Sequence, residues 1–368
     1  MKSQSNKWLA LDAYKAMSVF SMILWHLVVW WFGHDNINIR PLEGAANLGR
    51  FHVGAFSGTI LILSGFFTMS IPATAGAVFR FYYKNLNKNK ERIALNKSLY
   101  YVLGIAISFL LLGFIINLLA WGPSYFFDWN VLQFISLCLI IVAVILKFLQ
   151  LYYLMAFSII VLLLAPVLRT HLADTSSYLI KILIGDSLGY NLWPFFPWFF
   201  IFVYGFAVAH FYIKCTNSRN TKYFRSALIF AGLIFTGVGA YYGKFFFFIE
   251  KGNVWGPGLF QPPTLTILAL LGVFNITIAV IDFYFSRFGK INKYGIINSY
   301  SRGILWIYII LFVIGYRLVI FVRNVLPNGL FPFLLLIALL LLISWVVGLL
   351  TIKIYEKRLF IELRKIKS

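Results

Sequence analysis

The sequence predicts an all-α protein that crosses a membrane about ten times as a bundle of helices. The chain has 368 residues, of which 61% are hydrophobic and 12% charged, and its mean hydropathy is +0.86. A soluble domain does not need so much apolar surface, whereas a bundle of bilayer-spanning helices does. Aromatic residues make up 19% of the chain. Many of the tryptophans and tyrosines lie near the ends of apolar segments, as they do in the interfacial belts of membrane proteins.

Apolar runs of about twenty residues, the length that spans a hydrocarbon core, define the individual helices. The predicted spans are 8–32, 54–79, 98–120, 131–148, 151–169, 194–213, 224–245, 263–286, 302–323 and 331–352. The first span is too long for a cleavable signal peptide and lacks a small-residue cleavage site. Because the polar segments between spans are short, we predict one integral-membrane domain over residues 1–368.

The distribution of charge predicts orientation and argues against one class of partner. The chain carries 32 lysines and arginines and a formal charge of +21, and these basic residues gather in alternate loops and in both tails. This is the pattern of membrane orientation rather than of nucleic-acid binding, and it puts both termini in the cytoplasm. We expect a multi-pass protein of the cell (plasma) membrane, surrounded by membrane lipids.

The two cysteines favour neither a disulfide nor a metal site. Cys138 lies in the middle of a predicted span and Cys215 in a basic loop. Two cysteines so far apart form no disulfide framework and lack the spacing of a metal site.

The first span contains a lysine and a histidine that a membrane helix would not carry without a reason. Lys15 and His26 are eleven residues apart, so on a helix they lie within about 20° of one face and roughly 16 Å apart along the axis. Ionisable groups inside a membrane are costly and are functional candidates by default. An imidazole can accept and return a proton near neutral pH, so His26 is the first candidate for a general base.

Each of these two residues also has a structural interpretation. His26 could be a buried histidine that donates to a carbonyl of a neighbouring helix. Lys15 could reach the inner interface, or pair with Asp12 three residues earlier or with Asp282. His34 and His52, predicted on the outer side, are further catalytic candidates, although loop histidines are usually just solvated. Three polar residues within spans are better explained as interhelical hydrogen-bond partners: Asn117, Gln133 and Asn275.

The pattern around these residues resembles the transmembrane acyltransferase superfamily, which includes acyltransferase family 3 and the heparan-α-glucosaminide N-acetyltransferase-like proteins. In that family the first helix reads LD-x-x-RG-x-A and ends near a histidine. Here Leu11, Asp12, Lys15, Ala16 and His26 match the frame, with lysine in place of arginine and alanine in place of glycine. Four later segments also resemble family motifs: LSGFF at 63–67, FPW at 196–198, PPTL at 262–265 and KYGIINSYS at 293–301. The late histidine of many members is absent, and Tyr308 takes its approximate place.

The resemblance implies a membrane acyltransferase. Acetyl-CoA or another acyl-CoA would donate the acyl group from the cytoplasm, with its phosphates near Lys15, Arg80 and Lys84 and with Ser64 close to the donor. The acceptor would be a hydroxyl or amine of an extracytoplasmic glycan, glycolipid or lipid head group. His26 would act as general base or carry the acyl group itself.

Two other functions remain open from the sequence. Lys15 and His26 could form the proton relay of a secondary transporter or of a lipid or glycan flippase. A non-catalytic scaffold is the third alternative, and it leaves the spacing of the two residues unexplained. The sequence contains no Walker A loop, HExxH or GxSxG motif, which removes support from ATP-driven transport and metalloprotease chemistry.

Overall fold

A computed structural model describes eight stretches of the chain, and in them the protein is helical throughout. These stretches are residues 8–32, 92–172, 175–185, 193–215, 218–242, 264–288, 295–326 and 330–367. Within them there is no β-strand. The prediction of an all-α fold is therefore confirmed.

The helices are numbered here in chain order over the described residues. They are α1 (Leu9–Phe32), α2 (Arg92–Trp121), α3 (Val131–Phe148), α4 (Leu151–Leu172), α5 (Tyr178–Ile184), α6 (Phe195–Lys214), α7 (Ser218–Tyr242), α8 (Thr266–Phe288), α9 (Ile296–Ile310), α10 (Tyr316–Val325) and α11 (Leu330–Lys367). A five-residue π-helical turn, Leu311–Gly315, joins α9 to α10 without a break in the helix.

Eight helices in the described part of the chain are long and apolar enough to cross a membrane, with α9, the π-turn and α10 counted as one. They correspond to eight of the predicted spans. Helix α1, 24 residues long, is not one of these eight but coincides with a further predicted span, 8–32. The predicted span 54–79 lies outside the described residues, so the count of ten and the location of the termini stay predictions.

Several helices extend beyond the apolar run that predicted them. Helix α7 begins at Ser218, although its apolar run begins near residue 224. Helix α11 is 38 residues long in all and ends at Lys367, whereas its predicted span ends at residue 352. Hydropathy marks the part of a helix that matches the bilayer, whereas backbone hydrogen bonding continues into polar sequence that still favours a helix.

The chain divides into two compact units. The first consists of residues 1–70 and 280–368, and its described elements are α1, α9, the π-turn, α10, α11 and the last residues of α8. Helix α9 packs against both α1 and α11. The backbones of α9 and α11 are in close contact where the two helices cross. A Cβ added to Gly348 would collide there with the carbonyl group of Ser299. Small residues permit this close approach of membrane helices.

The second unit consists of residues 71–279, with helices α2 to α7 and most of α8. Helix α2 packs on α3, and α4 packs on α6. Asn275 of α8 donates to the hydroxyl of Tyr204 on α6 at 2.6 Å, which confirms the interhelical role predicted for this asparagine. The short helix α5 contacts α4 and α6.

Candidate active site

Helix α1 is held at its N-terminal end by two hydrogen bonds to distant parts of the first unit. The indole Nε1 of Trp8, a side chain only 1% exposed, donates to a carboxylate oxygen of Asp282 at 2.9 Å. The hydroxyl of Ser301 on α9 donates to Asp12 at 3.0 Å. Hydrogen bonds to charged acceptors are among the stronger ones, so this end of α1 is firmly positioned. The predicted pairing of Asp282 with Lys15 stays a prediction.

His26 is buried in the same unit, with its side chain 6% exposed. Its Nδ1 is 2.8 Å from the carbonyl oxygen of Met22, one turn earlier on α1. A carbonyl oxygen can only accept, so Nδ1 carries the proton of this hydrogen bond. In the neutral imidazole the lone pair is therefore on Nε2. The carbonyl belongs to His26's own helix and not to a neighbouring one.

Aromatic rings surround the imidazole. The ring centroids of Trp25 and Phe312 are each 4.8 Å from that of His26, and the centroid of Trp30 is 5.2 Å away. Phe312 in turn packs on Tyr308, with centroids 4.5 Å apart. Such rings keep water from the imidazole and lower the local dielectric constant, which strengthens every polar interaction that it makes.

The π-helical turn carries the ring that touches His26. Phe312 is the second residue of Leu311–Gly315. Single π-turns inserted into α-helices are found disproportionately at functional sites. Neither the turn nor the role of Phe312 is evident from the sequence, because the hydropathy of span 302–323 stays high across residues 311–315.

Beyond His26, the C-terminal end of α1 contacts α10. The rings of Trp30 and Tyr316 are 5.4 Å apart. The Arg323 guanidinium donates from Nη1 to the carbonyl oxygen of Trp30 at 3.4 Å. A cation near the last carbonyls of a helix offsets the negative end of its dipole. Phe312, Tyr316 and Arg323 therefore form one line of contacts from the imidazole to the end of α1.

Lys15 lies half-buried on α1, and the continuous helix confirms that it is eleven helical residues from His26. This corresponds to a separation of roughly 16 Å along the axis. Five other predicted site residues fall outside the described residues: His34, His52, Ser64, Arg80 and Lys84.

The fold and this site define a class: a polytopic α-helical membrane protein with a buried histidine of fixed tautomer in its first helix. A family model described as the catalytic region of heparan-α-glucosaminide N-acetyltransferase matches residues 8–241. The chain belongs to this family, as the first-helix motif predicted. No curated protein and no solved structure matched the chain significantly.

Membership of this family gives the general class of the protein's function. It implies acetyltransferase activity in a membrane, and the eight apolar helices found in the described residues make the protein multi-pass and lipid-embedded. The matched region begins at Trp8 and includes Lys15 and His26. It ends before α8, so Phe312 and Arg323 lie outside it.

Proposed function

We propose that this protein transfers an acetyl group from cytoplasmic acetyl-CoA to a hydroxyl or amine of a glycan or lipid head group on the other side of the cell membrane. His26 is the reacting group of the enzyme. One observation carries the proposal: the Nδ1–H of His26 is donated to Met22, which leaves the lone pair on Nε2, in a pocket of aromatic rings.

In the direct route, Nε2 of His26 is the general base. It takes the proton of the acceptor as the acceptor oxygen or nitrogen forms its bond to the thioester carbonyl carbon. The carbon–sulfur bond then breaks. The proton held on Nε2 passes to the departing sulfur, so that CoA leaves as its thiol and the imidazole returns to its neutral form.

In the second route, Nε2 itself attacks the thioester carbonyl carbon, the carbon–sulfur bond breaks and CoA leaves as its thiolate, so the acetylated imidazole is cationic. The acceptor then attacks the acetyl carbon, the bond to Nε2 breaks and the acceptor's proton passes to the CoA thiolate, which restores the neutral imidazole. The bond from Nδ1–H to the Met22 carbonyl supports either route, because it makes Nε2 the nucleophilic nitrogen. The routes differ in kinetics, since only the second transfers label to the protein in the absence of acceptor.

Lys15 serves the donor. Its backbone position lies roughly 16 Å along the helix axis from that of His26, on the side that the basic loops assign to the cytoplasm. A phosphate of CoA is the natural partner for such a charge. Arg80 and Lys84, with Ser64, complete the donor site in this proposal, and His34 and His52 contribute on the acceptor side.

The test is a transfer assay with the purified full-length protein in lipid nanodiscs. Radiolabelled acetyl-CoA is incubated with amino-sugar glycans and with lipids that carry hydroxyl or amine head groups. We expect label transfer to fall by about 10²- to 10⁴-fold in the His26→Ala variant, the range typical of a lost general base. The His210→Ala variant is a matched control, because it removes an imidazole from the second unit, near the C-terminal end of α6.

Three results bear on the proposal. Full transfer by the His26→Ala protein would overturn the role of His26. No transfer to any acceptor, together with proton-coupled uptake of substrate into vesicles, would favour the transporter alternative. Labelled protein in the absence of acceptor, lost in His26→Ala, would select the acyl-enzyme route.

A further inference from the structure

The second unit contains an apolar groove that the proposed reaction does not use. It encloses about 390 Å³ between α2, α3 and the short helix α5. The long wall consists of Trp129, two residues before α3, and of one face of α3 with Gln133, Ser136 and Ile140. Leu110 of α2 and Leu183 of α5 face it from the other sides.

The polar side chains in this wall make their hydrogen bonds within the protein. Gln133 donates from Nε2 to the carbonyl oxygen of Asp128 at 2.9 Å and accepts at Oε1 from the backbone N–H of Asn130 at 2.7 Å. The Ser136 hydroxyl donates to the carbonyl oxygen of Ala106 at 2.7 Å. What the groove presents to a ligand is therefore hydrocarbon, and an apolar ligand of this size class fits it.

The depth of the groove matches one leaflet of a bilayer. Ile140 lies nine residues after the start of α3, and Leu110 eleven residues before the end of α2. At ~1.5 Å per residue these positions are roughly 14 to 16 Å from the helix ends. Half of a hydrocarbon core is about 15 Å. The groove therefore runs from the interface to the middle of the membrane.

The mouth of the groove has the side chains of a membrane interface. The indole of Trp129 donates to the carbonyl oxygen of Trp193 at 3.1 Å, and the hydroxyl of Tyr178 donates to that of Phe127 at 2.7 Å. Indole and phenol groups with one polar bond are typical of the head-group level. The exposed Asp128 lies between Phe127 and Trp129, and partial burial raises the pKa of its carboxyl group.

The groove is continuous with the surface that faces lipid. On α2, Ile107, Leu111 and Ile115 are 54%, 55% and 47% exposed, and they form a stripe beside the half-buried Leu110. In a membrane protein this stripe contacts acyl chains. A chain can pass from the bilayer into the groove without leaving an apolar environment.

We infer that this groove is a lipid-binding site, which holds one hydrocarbon chain of a membrane lipid from the leaflet on the side of residues 122–130. The head group lies at the level of Trp129 and Asp128. The site is independent of His26 and of the acetyl transfer.

Photo-crosslinking tests the site. The full-length protein is reconstituted with a phospholipid whose acyl chain carries a diazirine, and the labelled peptides are mapped. We expect the label to concentrate on residues 129–140 and 179–183. Substitution Leu110→Trp fills the groove and should lower this label about tenfold, the change expected when a few buried methylene groups lose their site.

Leu111→Trp is the matched control, because it adds the same ring to the neighbouring, lipid-facing residue of the same helix. It should leave the label unchanged. A second groove variant, Leu183→Trp, fills the groove from α5. It should lower the label as well, and it tests the site if Leu110→Trp does not fold. Label spread evenly over the exposed stripe, or label that survives both groove variants, would overturn the inference. Capture of a free diazirine fatty acid in place of the phospholipid would overturn the assignment to a membrane lipid.

Discussion

The buried amides of residues 117–133 in the second unit and the buried His26 in the first unit serve different purposes. In the second unit, Asn117, Asn130 and Gln133 hydrogen-bond to one another, and Asn117 and Gln133 donate to the carbonyl groups of Phe126 and Asp128. Asn130 and Gln133 also form a reciprocal capping box at the start of α3. In the first unit, one nitrogen of His26 binds a carbonyl of its own helix and aromatic rings surround the imidazole. Polar groups that satisfy one another maintain structure, whereas an imidazole of fixed tautomer in an apolar pocket is suited to chemistry.

The sharpest test of this difference separates rate from stability. The His26→Ala protein, expected above to lose 10²- to 10⁴-fold in transfer rate, should retain its fold. The hydrogen bond from His26 Nδ1 stays within α1, so we expect the thermal midpoint of this variant in nanodiscs to stay close to that of the wild type. A large fall in the midpoint would mean that His26 is a structural residue like Asn130.

Asn130→Ala should show the opposite behaviour. The Asn130 side chain accepts from Leu132 N–H and donates to Asn117 and to Gly113. Loss of this cap and of buried hydrogen bonds should cost about 2 kcal/mol of unfolding free energy. Thermal unfolding followed by circular dichroism measures the loss. The transfer rate per folded molecule should be unchanged, and Asn220→Ala, a substitution early in α7, is the control.

Lys15→Ala should weaken donor binding rather than the chemical step. Loss of a charge-assisted contact with phosphate is expected to raise KM for acetyl-CoA about tenfold, with kcat nearly constant. Steady-state kinetics at varied acetyl-CoA measure both constants. Lys15→Arg should restore most of the affinity, and Lys147→Ala, at the end of α3, should have no effect. An equal fall in kcat would contradict the assignment.

Phe312→Leu should reduce kcat by a few-fold while KM for acetyl-CoA stays the same, because the ring orients the imidazole and does not touch the donor. Phe333→Leu provides the comparison. Phe333 is also buried, and it contacts Trp31 of α1 with ring centroids 5.7 Å apart. If both variants lose activity in proportion to their loss of stability, Phe312 has no positioning role.

The smallest effect on stability is expected from a substitution of Asp128, at the mouth of the groove. Burial raises the pKa of the Asp128 carboxyl group, so the folded state favours its protonated form. The stability that this group contributes is present below its unfolded pKa and is lost as the pH rises through the raised value. Asp128→Asn should remove this dependence and raise the midpoint slightly at neutral pH. If the midpoint of Asp128→Asn still falls as the pH rises, as that of the wild type does, Asp128 is excluded as the cause.

The sequence was informative wherever length and hydropathy determine structure. Span 131–148 coincides with α3 at both ends, and the first helix with its lysine and histidine lies where the apolar run predicts it. The resemblance in residues 11–26 identified the family. These features are local, so the order of residues along one helix was sufficient.

The contacts around His26 could not be read from the sequence. Phe312 is far from His26 along the chain, and their contact depends on how α9 and α10 pack on α1. The π-turn was also missed, because a change from four- to five-residue hydrogen bonding leaves the apolar composition of span 302–323 unaltered. Gln133 was predicted to hydrogen-bond to another helix. Instead, its Oε1 accepts from the backbone N–H of Asn130 at the start of its own helix, and its Nε2 donates to the carbonyl oxygen of Asp128.

The π-turn has a consequence for how the chain tolerates length changes. One extra residue per turn shifts the angular phase of everything that follows by about 100° relative to an uninterrupted α-helix. The side of α10 that carries Tyr316 and Arg323 meets α1 only in the shifted phase. A single-residue deletion between 311 and 315 would rotate both side chains away from Trp30, although composition and hydropathy would hardly change. This stretch of the membrane span therefore accepts substitutions more readily than it accepts insertions or deletions.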